Sequence, residues 1–420
     1  MVMTVDAALG KLVVSALVVS LIRIFNAINR IALFKGFKRF PETYLVPKRP
    51  PNPRKVTVMV ALHKEKEESI RVTARSIMNQ EYPKELIEVF FVVEPDDYET
   101  IEAAERVAQK MREQGFNARV VMSDGKLKYK AHALNCALKE ASGEIIGVYD
   151  ADDEIDPKQI AMAVALIEEG YDAVGSRVIR HRENVIGRFV NIETIVRHEA
   201  MLPFYRKIRK VTQFSGEGFF IRKDVLEAVG GFPEKLTEDS YLTVILFEKG
   251  YKVAHMRSYV KEIAPKGIIA FIKQRMRRAL GRLQAAGRAI TSNMPIIRRL
   301  AMFRLLAGSA VVVMASIIAS VFGLRYARNV LAESIEAAAH YNPIVVGIIA
   351  SIPPGAYLLT SLASFYLMIN SYFSGDYRRA RKFMALRYAL MLPFFRIFEG
   401  LIVIRAIIRR PKKRYKTERR

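Results

Sequence analysis

The sequence predicts an α/β domain built on a mainly parallel, Rossmann-like sheet, joined to α-helical transmembrane and interfacial segments. Three observations carry this. Between Val56 and about Tyr259, short β-rich apolar runs alternate with stretches of helical apolar spacing. From Ala301 onward come apolar runs of membrane length. Finally, 67 Lys+Arg against 42 Asp+Glu leave a net charge of +25 in a chain that is 51% hydrophobic. That pairing is expected of a membrane protein whose basic residues face the cytoplasm. Nucleic-acid binders reach such charge without membrane-length apolar runs, and the basic groups here sit beside those runs, so nucleic acid is not expected as a partner. The single cysteine, Cys136, excludes an internal disulfide and a cysteine-based metal cluster.

In chain order, residues 1–40 are expected to form an N-terminal membrane anchor helix. Its core, "LVVSALVVSLI" (12–22), has the length of a signal-peptide core. Positive charge follows it at Arg23, Arg30, Lys35, Lys38 and Arg39, which holds that side in the cytoplasm and argues against cleavage. The Pro-rich "RPPNPR" (49–54) links the anchor to a cytoplasmic α/β domain over 41–262. There "VTVMVAL" (56–62), "IEVFFVVE" (87–94), "ARVVM" (118–122) and "EIIGVYD" (144–150) read as buried strands. Residues 67–80, 100–114 and 130–141 read as the helices between them. Residues 263–300 are expected to be amphipathic interfacial helices. Ile272, Met276, Leu280 and Leu283 fall on one side of the wheel, and Gln274, Arg275, Arg277, Arg278 and Arg282 on the other. Over 301–420 two transmembrane helices (301–323 and 343–370) are expected, then an interfacial or re-entrant helix (383–408) and a basic cytoplasmic tail.

The acidic residues cluster where an α/β sheet binds ligands, beyond the carboxyl ends of its strands. "VYDADDEIDP" (148–157) ends a strand on Asp150 with Asp152 just beyond. Two carboxylates so placed can share a divalent cation with a diphosphate, or can be an acidic turn that caps the next helix. In "SGEG" (215–218), Gly216 and Gly218 allow the backbone to approach a ligand closely. Thr237-Glu238-Asp239 opens a helix, as an N-cap with first-turn acids or as catalytic carboxylates. Lys130 precedes a helix where a cation could meet phosphate, and "VVEPDDYET" (92–100) could hold a base and ribose or cap a helix at Asp97. "QRMRRALGR" (274–282) reads alone as a lipid-headgroup anchor.

Taken in order, "HKE" (63–65), "EPDD" (94–97), Lys130 to Asn135, Asp150-Ala151-Asp152, "SGEG", Thr237-Glu238-Asp239 and "QRMRR" (274–278) resemble the motifs of membrane-embedded family 2 inverting glycosyltransferases, such as cellulose, hyaluronan and glucomannan synthases. The resemblance spans about residues 56 to 281. It implies a GT-A fold and inverting transfer from a nucleotide-diphospho-sugar, with UDP or GDP as the nucleotide. By the same resemblance, Asp152 would ligate Mg²⁺ or Mn²⁺ with Asp150 in support. Glu65, Glu94, Asp96, Lys130, Gly216 and Gly218 would bind the nucleotide-sugar. Asp239 would be the general base beside Glu238, and Gln274, Arg275 and Arg277 would close over the site. A sugar hydroxyl is a poor nucleophile, which is why a carboxylate in reach is needed.

Two departures bear on the acceptor. The family's Asn before Glu65 is Lys64, and the aromatic after the motif's arginine is Arg278, in a chain with no Trp. Where the polymerising members would stack a Trp on the growing chain, Arg278 offers charge and phosphate recognition. The expected acceptor is therefore a lipid or lipid-linked anion rather than a long glycan, and anionic membrane lipids are expected partners. The alternatives are a processive polysaccharide synthase and a non-catalytic membrane scaffold retaining the fold.

Overall fold

The computed structural model of the chain describes residues 43–308, apart from 128, 182, 183 and 266, together with 402, 405 and 406. The expected anchor in 1–40, residues 309–323 of the first expected transmembrane helix, the whole of the second, the 383–408 segment apart from 402, 405 and 406, and the basic tail lie outside the described residues. Among the described residues no helix is long and apolar enough to cross a membrane.

The four runs read as strands are strands: β1 (Val56–Ala61), β2 (Ile87–Val93), β3 (Asn117–Met122) and β4 (Ile145–Asp150). Four more follow: β5 (Glu154–Ile155), β6 (Ala173–His181), β7 (Phe219–Arg222) and β8 (Val253–Ile263). They form one sheet in the order β3-β2-β1-β4-β7-β6-β8-β5. The first four pair in parallel, as does β6 with β8. β7 runs antiparallel to both β4 and β6, and β5 antiparallel to β8, so the sheet is mixed. The short β7 could not be read as reversed, because its neighbours β4 and β6 are set by long-range pairing.

Helices cover both faces: α1 (Glu67–Met78), α2 (Tyr98–Glu113), α3 (Lys130–Glu140), α4 (Gln159–Glu168), α5 (Val185–Val196), α6 (Lys223–Ala228), α7 (Glu238–Glu248) and α8 (Ile268–Thr291). Successive strand side chains point to opposite faces. Val56, Val58 and Val60 accordingly join the core with Ile70 and Ile77 of α1 and Met111 of α2. Met59 joins the opposite core with Leu134 and Leu138 of α3. Strands buried on both faces explain the unbroken apolar runs of β1 and β2. This packing sets the carboxyl ends of β1, β2, β3 and β4 side by side along one edge, where the acidic motifs lie.

Candidate active site

At the exit of β1 the chain turns sharply. Lys64 adopts a left-handed φ of 54°, and its amide donates to Asp97 Oδ2 at 2.5 Å. The Glu65 amide donates to Thr100 Oγ1 at 2.9 Å. Asp97 stands at the N-cap position of α2 but gives the helix no side-chain hydrogen bond. Its carboxylate serves the Lys64 turn instead. Glu94, at the end of β2, is buried and accepts from Ser123 Oγ at 2.6 Å, while Asp96 is exposed. Glu65, Glu94 and Asp96 thus follow the ends of adjacent strands.

The end of β4 is folded back on itself. The Asp150 amide donates to Asp153 Oδ2 at 2.8 Å, and the Asp153 amide donates to Thr73 Oγ1 at 2.9 Å. Burial, reinforced by Asp150 and Glu217, pushes the Asp153 carboxyl well above the usual range, so it serves as the internal brace of the turn. Asp150 and Asp152 remain as the hard oxygen donors, a set that suits Mg²⁺ or Mn²⁺ and not a soft metal.

Lys130 ties three sequence motifs together. Its ammonium lies 2.7 Å from Asp150 Oδ1, donates to the Gly216 carbonyl at 2.9 Å, and stands 3.7 Å from Glu238 Oε1. Burial alone would lower its pKa, but Asp150 and Glu238 more than offset that and hold it above the ordinary lysine range. Gly216 has its open side toward the next motif: a Cβ there would lie 3.8 Å from Glu238 Oε1 and 3.9 Å from Asp239 Oδ2. Gly218, at φ 67°, is pressed instead against Ser176 and Val260. Its freedom from a side chain serves strand packing rather than approach to a ligand.

Thr237 occupies the N-cap position of α7, yet it makes no side-chain cap, and its hydroxyl is buried without a hydrogen-bond partner. What holds this helix start is α8. Gln274, Arg278, Gly281, Arg282 and Ala285 recur at helical spacing along one face. Of these, Gln274, Gly281 and Ala285 are buried. The side that carries Gln274 is therefore the packed side, with Arg278 and Arg282 half-buried along it, and Ile272, Met276, Leu280 and Leu283 are also half-buried. The Gln274 amide is 2% exposed, and neither its oxygen nor its nitrogen has a hydrogen-bond partner. Leaving such a group unsatisfied costs about 1–3 kcal/mol. Arg278 and Arg282 make no ion pair or hydrogen bond with a described residue. Burial, with Arg180 and Arg197 nearby, holds their pKa values below the usual guanidinium range, although both remain charged at neutral pH. Asp239 lies in the field of Arg282 and Arg197. Arg277 lies near Glu238. Arg275 has a different task from the closing role expected of it: it donates to Glu193 Oε1 of α5 at 2.7 Å and lies over the Phe271 ring, anchoring α8 to α5.

The sequence did not disclose the buried charges beneath Arg278. Arg180 and Glu262 face each other in register across β6 and β8 and form an ion pair. Arg180 also donates to Glu217 Oε1 at 2.6 Å. Burial and the neighbouring Glu262 push the Glu217 carboxyl up to about 8, against the pull of Arg180. Arg197, which donates to Gln213, brings a further cation. No local pattern marks these residues, because each partner comes from a distant part of the chain.

A family description, Glycosyltransferase like family 2, matches residues 53–281. A probable glycosyltransferase, YdaM, of Bacillus subtilis is 30% identical over 236 residues, covering 54% of this chain and 55% of the relative. A beta-monoglucosyldiacylglycerol synthase of Synechocystis is 29% identical over 238 residues, covering 54% of this chain and 48% of the relative. The chain thus matches about half the length of these relatives. The mannosyltransferase PcManGT from Pyrobaculum calidifontis, solved with GDP-Man and Mn²⁺, has the same fold at a TM-score of 0.55 and 23% identity. That likeness covers 83% of this chain and 98% of the other.

Proposed function

We propose that this chain, which belongs to the glycosyltransferase like family 2, moves a sugar with inversion from a UDP- or GDP-linked donor to an anionic lipid or lipid-linked acceptor at the cytoplasmic membrane face. The observation that carries the proposal is the packed face of α8. There Gln274 is buried with no hydrogen-bond partner among the described residues, and Arg278 and Arg282 make no ion pair with a described residue. Gly281 lies against Thr237, and Arg282 lies in the field of Asp239. Such a face is costly when empty and favourable when an anion and a hydroxyl-rich ligand occupy it.

The donor's nucleotide lies along the ends of β1 and β2, within reach of Glu65 and Glu94. Asp150 and Asp152 are the residues to hold Mg²⁺ or Mn²⁺, which when bound neutralises diphosphate charge. Lys130 keeps Asp150 in place and sets the Gly216 backbone beside the Asp239 carboxylate. Asp239 takes the proton of the acceptor hydroxyl as the hydroxyl oxygen bonds to the anomeric carbon. The bond from that carbon to the diphosphate oxygen breaks on the opposite face, and the nucleoside diphosphate leaves with the electron pair. Gln274, Arg277 and Arg278 supply donors as charge develops on the leaving group and the acceptor.

A lipid acceptor is supported by three features. A named relative makes a glucosyldiacylglycerol. Ile268 and Ile269 at the start of α8, and Ile296, Ile297 and Leu300 in the helix over 296–308, are exposed. Arg298, exposed among the latter group, adds the positive charge that suits an anionic lipid surface. Arg278 in place of an aromatic weighs against the processive polysaccharide synthase. A screen of UDP- and GDP-sugars with Mg²⁺ or Mn²⁺, reading released nucleoside diphosphate with and without lipid extract, tests the proposal. Release stimulated by lipid is expected. No release from any donor would revive the non-catalytic scaffold, and release unchanged by lipid would weigh against the lipid acceptor.

A further inference from the structure

Away from the acids of β4, a second cluster of metal-ligating side chains converges at the outer face of α3. His132 and Cys136 are four residues apart on that helix and present their side chains on one face. Asp124, on the turn after β3, meets them there. The three candidate ligand atoms all lie within 4.8 Å of one another. His132 Nε2 is 2.6 Å from Asp124 Oδ1 and 3.9 Å from Cys136 Sγ. The other imidazole nitrogen, Nδ1, is 2.8 Å from Glu234 Oε1.

We propose that Asp124, His132 and Cys136 form a binding site for a borderline-soft divalent ion, Zn²⁺ above all, with Glu234 orienting the histidine from outside. Three features point the same way. Ligand separations in a tetrahedral zinc site are about 3.3–3.6 Å from its bond lengths. The two histidine spacings lie within about 0.7 Å of these, and the Asp124–Cys136 pair, within 4.8 Å, needs to close by about 1 Å at most. A carboxylate on the far nitrogen is the usual support of a metal-bound imidazole, fixing the tautomer that leaves Nε2 as the ligand. The site is also open: Asp124 is exposed, and His132 and Cys136 are half-buried, so an ion can enter and a water can fill the fourth position.

The donor set discriminates between metals. A thiolate and an imidazole select Zn²⁺ or Co²⁺ over Mg²⁺, whereas the carboxylates of β4 do the reverse. In the tautomer that donates Nδ1–H to Glu234, Nε2 binds through its lone pair, and the metal displaces only the thiol proton of Cys136, which is released to solvent. The ion would tie together the turn after β3, helix α3 and the loop before α7. Asn135 already clamps two of these, accepting from the Phe232 amide at 2.7 Å and donating to its carbonyl at 2.8 Å. Helix α3 opens with Lys130, so the site stiffens the frame of the donor lysine.

Because the chain has one cysteine, its full-length, chelator-stripped form titrated with Co²⁺ gives a direct reading. A sulfur-to-cobalt charge-transfer band should grow to one equivalent, be bleached by Zn²⁺, and ignore a large excess of Mg²⁺. Cobalt taken up by Asp150 and Asp152 carries no sulfur and adds nothing to that band. Cys136→Ser should abolish the band, and His132→Ala should weaken binding at least about tenfold. Absence of the band in the wild-type chain, or a band unchanged by His132→Ala, would overturn the site and leave His132 as a hydrogen-bonded bridge between Asp124 and Glu234.

Discussion

Gly281 of α8 lies directly against Thr237, so close that a Cβ on the glycine would sit 2.5 Å from Thr237 Cγ2 and 2.8 Å from its amide nitrogen. The contact sets the height of α8 over Asp239, and a side chain there meets backbone that cannot move aside. Gly281→Ala gains about 1 kcal/mol of helix propensity but loses about 1–3 kcal/mol to overpacking. The net is a loss of about 0–2 kcal/mol, so the thermal midpoint should fall by a few degrees at most. If Gln274 and Arg278 act as proposed, turnover should fall by about 10²-fold from a displacement near 1 Å. Steady-state kinetics beside calorimetry checks both halves.

Gln274 offers the opposite pairing of effects. Gln274→Leu removes a buried amide with no partner, so stability should hold or rise by about 1–2 kcal/mol. Transfer should drop by about 10²-fold, the typical cost of losing one positioned donor. A denaturant midpoint that falls instead would show that the amide is satisfied within the fold.

Glu217 gives the protein a signature in pH. Its carboxyl is ordinarily near 4.5 and is pushed up to about 8 by burial. The folded state therefore holds this proton more tightly than the unfolded chain. Its contribution to stability is fully present below about 4.5 and is lost as pH rises through about 8. Glu217→Gln should flatten the fall in unfolding midpoint between those limits, and melting curves across that range for both chains measure it.

Lys64 stands in the left-handed region at φ 54°. A branched or long L-residue there costs about 1–2 kcal/mol relative to the right-handed region, and Asn tolerates it better. Lys64→Asn should raise stability by about 1 kcal/mol with the Asp97 hydrogen bond kept, because that bond uses the backbone. Equilibrium unfolding of the two chains decides it.

The first half of the sheet was legible because β1, β2 and β4 are buried on both faces and read as continuous β-rich runs. Their order in space and the reversed β7 were not, since Phe219-Phe220-Ile221 looks the same in either direction. The motif acids were legible one by one, and the structure brings Lys130, Asp150, Gly216 and Glu238 within one contact network. What escaped was the charge inside the second half. Arg180 and Glu262 are placed opposite by parallel pairing of β6 and β8, a register that no local spacing reveals. Glu193 meets Arg275 from another helix, so an arginine that reads as a lid is a clamp.

The central claim is that Asp239 deprotonates the hydroxyl of a lipid or lipid-linked acceptor. The most direct test incubates wild-type chain and Asp239→Asn with labelled nucleotide-sugar, Mn²⁺ and membrane lipid extract, and counts label in the organic phase. Labelled lipid is expected from the wild type. In the variant its rate should fall by about 10²–10⁴-fold, while binding of the nucleotide-sugar is retained. Equal labelled lipid from both chains would contradict the role of Asp239, and label confined to water-soluble product would contradict the lipid acceptor.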